Sequence, residues 1–108
     1  MLLGECAHVR TGDKGDIAQI SVIAFDPGEY PRLARRVTVA RVLGHLAGVQ
    51  VRSATRYELP GLGALNFVLE GALSGGVTRS LALDAHGKSL GAQLLDLSVD
   101  EDDQAGEA

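Results

Sequence analysis

His8-Val9-Arg10-Thr11-Gly12-Asp13-Lys14-Gly15-Asp16, residues 8–16 of the chain, lies between two apolar stretches that cover residues 2–9 and 17–25. The apolar stretches predict two strands, over residues 2–10 and 17–25, with the polar run between them as their connecting loop. An ordinary two-residue hairpin needs a single Asn-Gly or Asp-Gly pair. Two glycines, at positions 12 and 15, instead predict a backbone curl whose N–H groups point the same way and, with the Lys14 ammonium, hold an anion.

The length and composition indicate one compact domain. The chain has 108 residues, enough for a single core, and only 4% of them are aromatic, so Leu, Val, Ile and Ala must fill that core. No stretch approaches the roughly 18 apolar residues of a membrane span, and the N-terminus does not resemble a signal peptide. We therefore expect a cytoplasmic protein without a membrane partner. Cys6 has no second cysteine to pair with and is expected to be a buried hydrophobic residue.

Much of the negative charge lies at the C-terminal end of the chain. The net charge is −4, but five of the fourteen acidic residues lie within residues 100–108. This segment has no apolar pattern and is predicted to be a disordered acidic tail, which leaves residues 1–99 as the folded domain. The body is nearly neutral and lacks a basic stripe with aromatic residues, so nucleic acid is not expected as a partner.

The hydropathy pattern predicts a mixed α+β order after the first two strands. Thr38 is the predicted N-cap of a helix whose apolar stripe recurs every three or four residues. Alternation with period two then predicts an antiparallel hairpin. The predicted elements are a helical turn from Pro31, a helix over 39–46, strands over 49–59 and 65–69, a short strand over 77–83, a helix over 88–94 and a closing edge strand over 95–99.

From residue 17 onward this order is strand, helix, strand, strand, helix, strand. It is the order of the ferredoxin-like sandwich, a mainly antiparallel sheet with two helices on one face, here with an extra N-terminal strand. The name describes the fold and implies no iron–sulfur cluster. No cofactor is expected.

Three segments in order resemble one known family. They are HVRTGDKGDIAQI (8–20), RYELPGLGALNFVL (56–69) and GGVTRSLALDAHGKSLG (75–91), and they resemble the AtuA-like ferredoxin-fold domain of the acyclic terpene utilisation family. The resemblance implies a small domain that is attached to a much larger domain or encoded as a separate chain. It also implies a link to the breakdown of acyclic terpenes and related branched acyl compounds. It supplies no catalytic residues, and Thr11 stands where the family more often has Ser.

The resemblance therefore implies a stand-alone small subunit or accessory domain that associates with a larger AtuA-family chain or with itself. No nucleophile–base pair or metal cluster is evident in the sequence, so we expect the chain to be non-catalytic alone. Catalysis on a small anionic metabolite stays open as the alternative, as does a role as a regulatory sensor domain.

The candidate ligand site is the polar run itself, which comprises Thr11, Gly12, Asp13, Lys14, Gly15 and Asp16. In one interpretation these residues bind a phosphate, a carboxylate or the head group of an acyl-CoA. In the other, the two aspartates only shape the loop by accepting backbone hydrogen bonds. The run is not a Walker A loop, and it does not join two helices as the GXXG loop of a KH domain does.

Secondary candidates lie outside that run. His8 and Arg10 are two residues apart and so share one strand face at the mouth of the loop, with His8 expected to be half-buried. Glu58 and Asn66 are expected to approach each other across the hairpin. Arg79 would join an anion site with the loop if the two segments meet in space. No metal site is expected.

Overall fold

The computed structural model describes residues 1–15, 17–46, 51–71 and 90–100. Besides three short 3-10 helices (Leu3–Glu5, Pro27–Glu29 and Pro60–Leu62), these residues form four strands and three α-helices. They are β1 (Ala7–Lys14), β2 (Ile17–Ala24), α1 (Tyr30–Arg36), α2 (Val39–His45), β3 (Ser53–Leu59), β4 (Ala64–Glu70) and α3 (Leu90–Leu94). The predicted strand over 77–83 and the residues 101–108 of the predicted tail lie outside the described residues. No helix of the described part is long and apolar enough to span a membrane.

The four strands form one antiparallel sheet in the order β1-β2-β4-β3. Side chains alternate between its two faces. In β2 the residues Ala18, Ile20 and Val22 are buried, whereas Gln19 is exposed between them. The buried face packs against the helices and the other face is open to solvent. The predicted α+β sandwich, with an antiparallel sheet and helices on one face, is therefore confirmed.

The core lies between the sheet and the helical layer. Phe67 of β4 is its largest fully buried side chain, and apart from Cys6 the rest of the core is aliphatic, as the composition predicts. Each helix contributes through residues on its inner side, namely Leu33 of α1, Val42 of α2, and Leu90 and Leu94 of α3. Burial of these side chains, each worth about 1.5–3 kcal/mol, holds the short helices on the sheet.

Helix α2 begins where the sequence indicates. The Thr38 hydroxyl accepts a hydrogen bond from the backbone N–H of Arg41 at 3.2 Å, which confirms the predicted N-cap. The predicted C-terminal helix over 88–94 is described from Leu90 onward.

The predicted closing edge strand over residues 95–99 is wrong. This segment pairs with the start of the chain: the N–H of Leu3 donates to the carbonyl of Leu97, and that of Gly4 to the carbonyl of Leu95, both at 2.8 Å. The extra N-terminal strand, β1, occupies the edge beside β2 instead. A strand joined to β2 by two residues closes a much shorter loop than a segment some seventy residues away, so its pairing costs less entropy.

Asp100, the first residue of the predicted tail, contacts the start of the chain. Its carboxylate accepts a hydrogen bond from the amino group of Met1. This contact raises the pKa of the amino group and lowers the pKa of the Asp100 carboxyl. Both groups lie at the surface, so the pair contributes little to stability.

Candidate functional site

The run that was expected to form a curled loop is mostly strand. Residues up to Lys14 belong to β1, and Lys14 pairs with Ile17, so Gly15 and Asp16 alone connect the two strands. Gly15 has φ of +63°, the left-handed conformation that glycine adopts readily. In an extended strand, successive N–H groups point in opposite directions, so they cannot converge on one anion. The predicted backbone curl is therefore wrong, and Asp16 lies outside the described residues.

The strand geometry separates the candidate residues onto two faces of the sheet. Thr11 and Asp13 lie on the helix-facing side, whereas Gly12 and Lys14 lie on the open side. The Thr11 hydroxyl accepts a hydrogen bond from the N–H of Gly91 at 2.7 Å and so ties β1 to the first turn of α3. Thr11 thus has a packing role, whereas Lys14 is exposed on the open face.

His8 and Arg10 share the open face of β1, as expected from their spacing. His8 is exposed rather than half-buried. Its ring meets the Phe25 ring edge-to-face with 4.5 Å between the centroids, a favourable arrangement for two aromatic rings. His8 therefore belongs to an aromatic contact at the rim of the open face.

The predicted approach of Glu58 and Asn66 is wrong. In the β3–β4 register Glu58 pairs with Leu65, and Asn66 pairs with Tyr57. A one-residue difference in register moves a side chain to the opposite face, so Glu58 is on the helix side and Asn66 on the open side. Asn66 instead accepts a hydrogen bond from the Ser21 hydroxyl at 3.1 Å. Arg79 lies outside the described residues.

Arg56 connects the edge strand β3 to the helical layer. Its guanidinium donates to the carbonyls of Ala34 and Val37 at 2.7 and 3.0 Å, at the C-terminal end of α1. The same group contacts the Glu58 carboxylate at 2.6 Å. These hydrogen bonds satisfy helix carbonyls that have no partner within the helix.

The open face carries a shallow depression of about 450 Å³ between β2, β4 and the turn Pro60–Leu62. Gln19, Ser21 and Asn66 are its polar lining residues, and Ile23, Leu59 and Leu62 are among its apolar ones. The apolar residues of this region were not singled out from the sequence. The signal was present, because Leu62 is an apolar residue within a Pro-Gly-Leu-Gly turn, where polar residues are usual.

The groups that could carry metal or thiol chemistry in the described residues are His, Cys, Asp and Glu side chains. No group of three His, Cys, Asp or Glu side chains there is arranged to hold a metal ion. Cys6 is buried in the core as expected, and burial raises the pKa of its thiol. A buried neutral thiol is a poor nucleophile.

Comparison with known proteins identifies the family. The family model described as the AtuA ferredoxin-like domain matches residues 1–100, nearly the whole chain. No curated protein and no solved structure matches the chain. The family match agrees with the antiparallel sheet, the helices on one face, and the three sequence segments that carry the resemblance. The chain is therefore a member of the AtuA ferredoxin-like domain family.

Proposed function

We propose that this chain is an accessory domain that binds a larger AtuA-family chain and acts with it in the breakdown of acyclic terpenoid or related branched acyl compounds. The AtuA-related role follows from the family. The association with a larger chain is supported by the open face of the sheet. We expect the protein to work in the cytoplasm and to be non-catalytic without that partner.

The observation that carries the proposal is a set of exposed apolar side chains on the open face. Leu62 is 72% exposed, and Phe25, Tyr57 and Leu59 are each at least 40% exposed. Contiguous exposed apolar side chains on one face of a protein often mark a surface that binds another protein. A partner surface that covers this face would bury these side chains together with the depression beside them.

Leu62→Asp is expected to abolish co-purification with a larger AtuA-family chain after co-expression. A carboxylate at this position would lose its water on binding without gaining a partner. Because Leu62 is exposed, the isolated variant should keep its melting temperature. Affinity purification followed by mass spectrometry measures the result.

Ala40→Asp is the matched control, because Ala40 is exposed on α2 in the opposite layer. This variant should co-purify as the unchanged protein does. If Leu62→Asp also co-purifies fully, the open face is not the contact surface.

The alternative function is binding of an anionic metabolite, such as a phosphate, a carboxylate or an acyl-CoA head group. The observation in its favour is that Arg10 and Lys14 lie on the same open face with Gly12 between them. A Cβ built at Gly12 would meet no atom within 4 Å, so the space between the two cations is open. Side-chain charge, rather than converging backbone N–H groups, would then hold the anion.

Lys14→Ala is expected to weaken binding of coenzyme A by about tenfold, because it removes one charged donor to a phosphate. The melting temperature should not change, since Lys14 is exposed. Calorimetry with coenzyme A and with inorganic phosphate measures the affinity. Lys14→Arg keeps the positive charge and should retain most of the affinity. Absence of binding by the unchanged protein would remove this alternative.

A further inference from the structure

The outer edge of β3 can accept another strand. Among the described residues, no strand lies beside β3 on the side away from β4. The N–H of Ala24 donates to the carbonyl of Gly63 at 2.9 Å, so these two opposite residues form a hydrogen-bonded pair. Hydrogen-bonded pairs recur at every second residue of an antiparallel pair of strands, so the odd-numbered residues of β4 bond to β2. The even-numbered residues of β4 then bond to the odd-numbered residues of β3. The backbone groups of residues 54, 56 and 58 consequently point outward.

We propose that two copies of this chain pair antiparallel through β3, with the two-fold axis at Tyr57. In this register the outward backbone groups of Arg56 face those of Glu58 in the second copy, and the reverse pair forms by symmetry. The two sheets would become one continuous eight-stranded sheet. This inference concerns the edge of the sheet and does not depend on the function proposed above.

Charge selects this register among the neighbouring ones. An axis at residue 56 would set Arg56 opposite its own copy, and an axis at residue 58 would do the same for Glu58. Directly opposed like charges destabilise a strand pair, whereas opposite charges stabilise it. With the axis at Tyr57, each Arg56 lies beside Glu58 of its own strand at 2.6 Å and opposite Glu58 of the second copy. The two Arg56 and the two Glu58 side chains therefore alternate in sign around the two-fold axis.

The other edge strand, β1, has no comparable register. Its outward backbone groups belong to odd-numbered residues, because the even-numbered ones bond to β2. An axis at Gly12 would set Arg10 opposite Lys14 of the second copy, and an axis at Asp13 would oppose two carboxylates. Exposed charges of this kind are how natural sheets prevent edge pairing. Self-pairing is therefore assigned to β3 and not to β1.

A cross-linking experiment tests the register directly. Residues opposite each other on the two-fold axis have Cα atoms close enough for a disulfide. Tyr57→Cys should therefore give a covalent dimer under mild oxidation, seen by electrophoresis without reductant. Thr55→Cys is the matched control, because residue 55 faces residue 59 of the second copy and its own equivalent is out of reach. Cys6 is buried and present in both variants.

A second experiment tests the role of charge. Light scattering should show the unchanged chain as a dimer at about 100 μM, and Glu58→Lys should raise the dissociation constant at least about tenfold. Asp13→Lys makes the same charge change on the β1 edge and should leave the dimer intact. A monomeric unchanged chain, equal cross-linking of both cysteine variants, or a dimer insensitive to Glu58→Lys would each overturn the proposal.

Discussion

Phe67→Ala is expected to lower the free energy of unfolding by about 4 kcal/mol, within the range of about 3–5 kcal/mol typical of buried aromatic truncations. Phe67 is fully buried in β4, between the sheet and the helical layer. Urea unfolding followed by circular dichroism measures the loss, and an unchanged slope would show that the same surface is still buried.

Phe25→Ala is the matched control, because this residue is 53% exposed. This variant should lower the free energy of unfolding by less than about 1 kcal/mol, which is usual for surface substitutions. If Phe67→Ala does not fold, Phe67→Leu keeps most of the side-chain volume and allows the comparison. Equal losses for the two phenylalanines would contradict the assignment of Phe67 to the core.

Gly91→Ala is expected to cost about 3 kcal/mol, because α3 lies so close to β1 that position 91 has no room for a methyl group. A Cβ there would lie 2.3 Å from the Thr11 hydroxyl oxygen and 3.3 Å from Cγ1 of Val9. Relief of this overlap requires α3 to move outward or the Thr11 side chain to rotate away, and either change loses the hydrogen bond from Gly91 to Thr11. Thermal and urea unfolding both measure the effect.

Gly44→Ala provides the matched control in α2. Gly44 is exposed, and a Cβ there meets nothing within 4 Å. The same change should therefore stabilise the protein by roughly 0.5–1 kcal/mol through helix propensity. Because Thr11 causes the overlap, the double variant Thr11→Ala/Gly91→Ala should lose less stability than the sum of the single variants. If the losses of the two single variants add up exactly in the double variant, the Thr11 side chain is not the cause of the overlap.

Much of the fold can be predicted from local patterns. The apolar stretch over residues 17–25 forms β2, the period-two alternation of β4 matches its burial, and Thr38 caps α2 as its position indicates. These features depend on residues close in sequence, so a single chain carries the information. The resemblance of three ordered segments likewise predicted the family that the whole-chain comparison shows.

The errors concern which strand pairs with which, and in what register. Gly12, Asp13 and Lys14 are poor strand formers, yet an edge strand tolerates them because only one side of it must pair. The position of Glu58 depends on a turn in which four residues separate Leu59 from Ala64, and one residue fewer would reverse the faces. These choices are made by tertiary pairing, and local propensity does not report them.

Strand pairing also decides the geometry of the candidate site. As a loop, the run would gather its polar groups around one point, whereas as a strand it divides them between the helix side and the open side. Thr11 becomes a packing residue, and Lys14 stays available to a ligand. The apolar side chains around Leu62 come together only through the hairpin and the sheet order.

The hydrogen bonds of Arg56 link the mobility of two parts of the molecule. The Arg56 guanidinium, on β3, donates to the carbonyls of Ala34 and Val37 at the end of α1. Fraying of that strand would withdraw the guanidinium and leave the end of the helix without its partners, so the two segments open as one cooperative unit. Hydrogen exchange would then give the same free energy of opening for the amides of residues 34–37 and for those of β3.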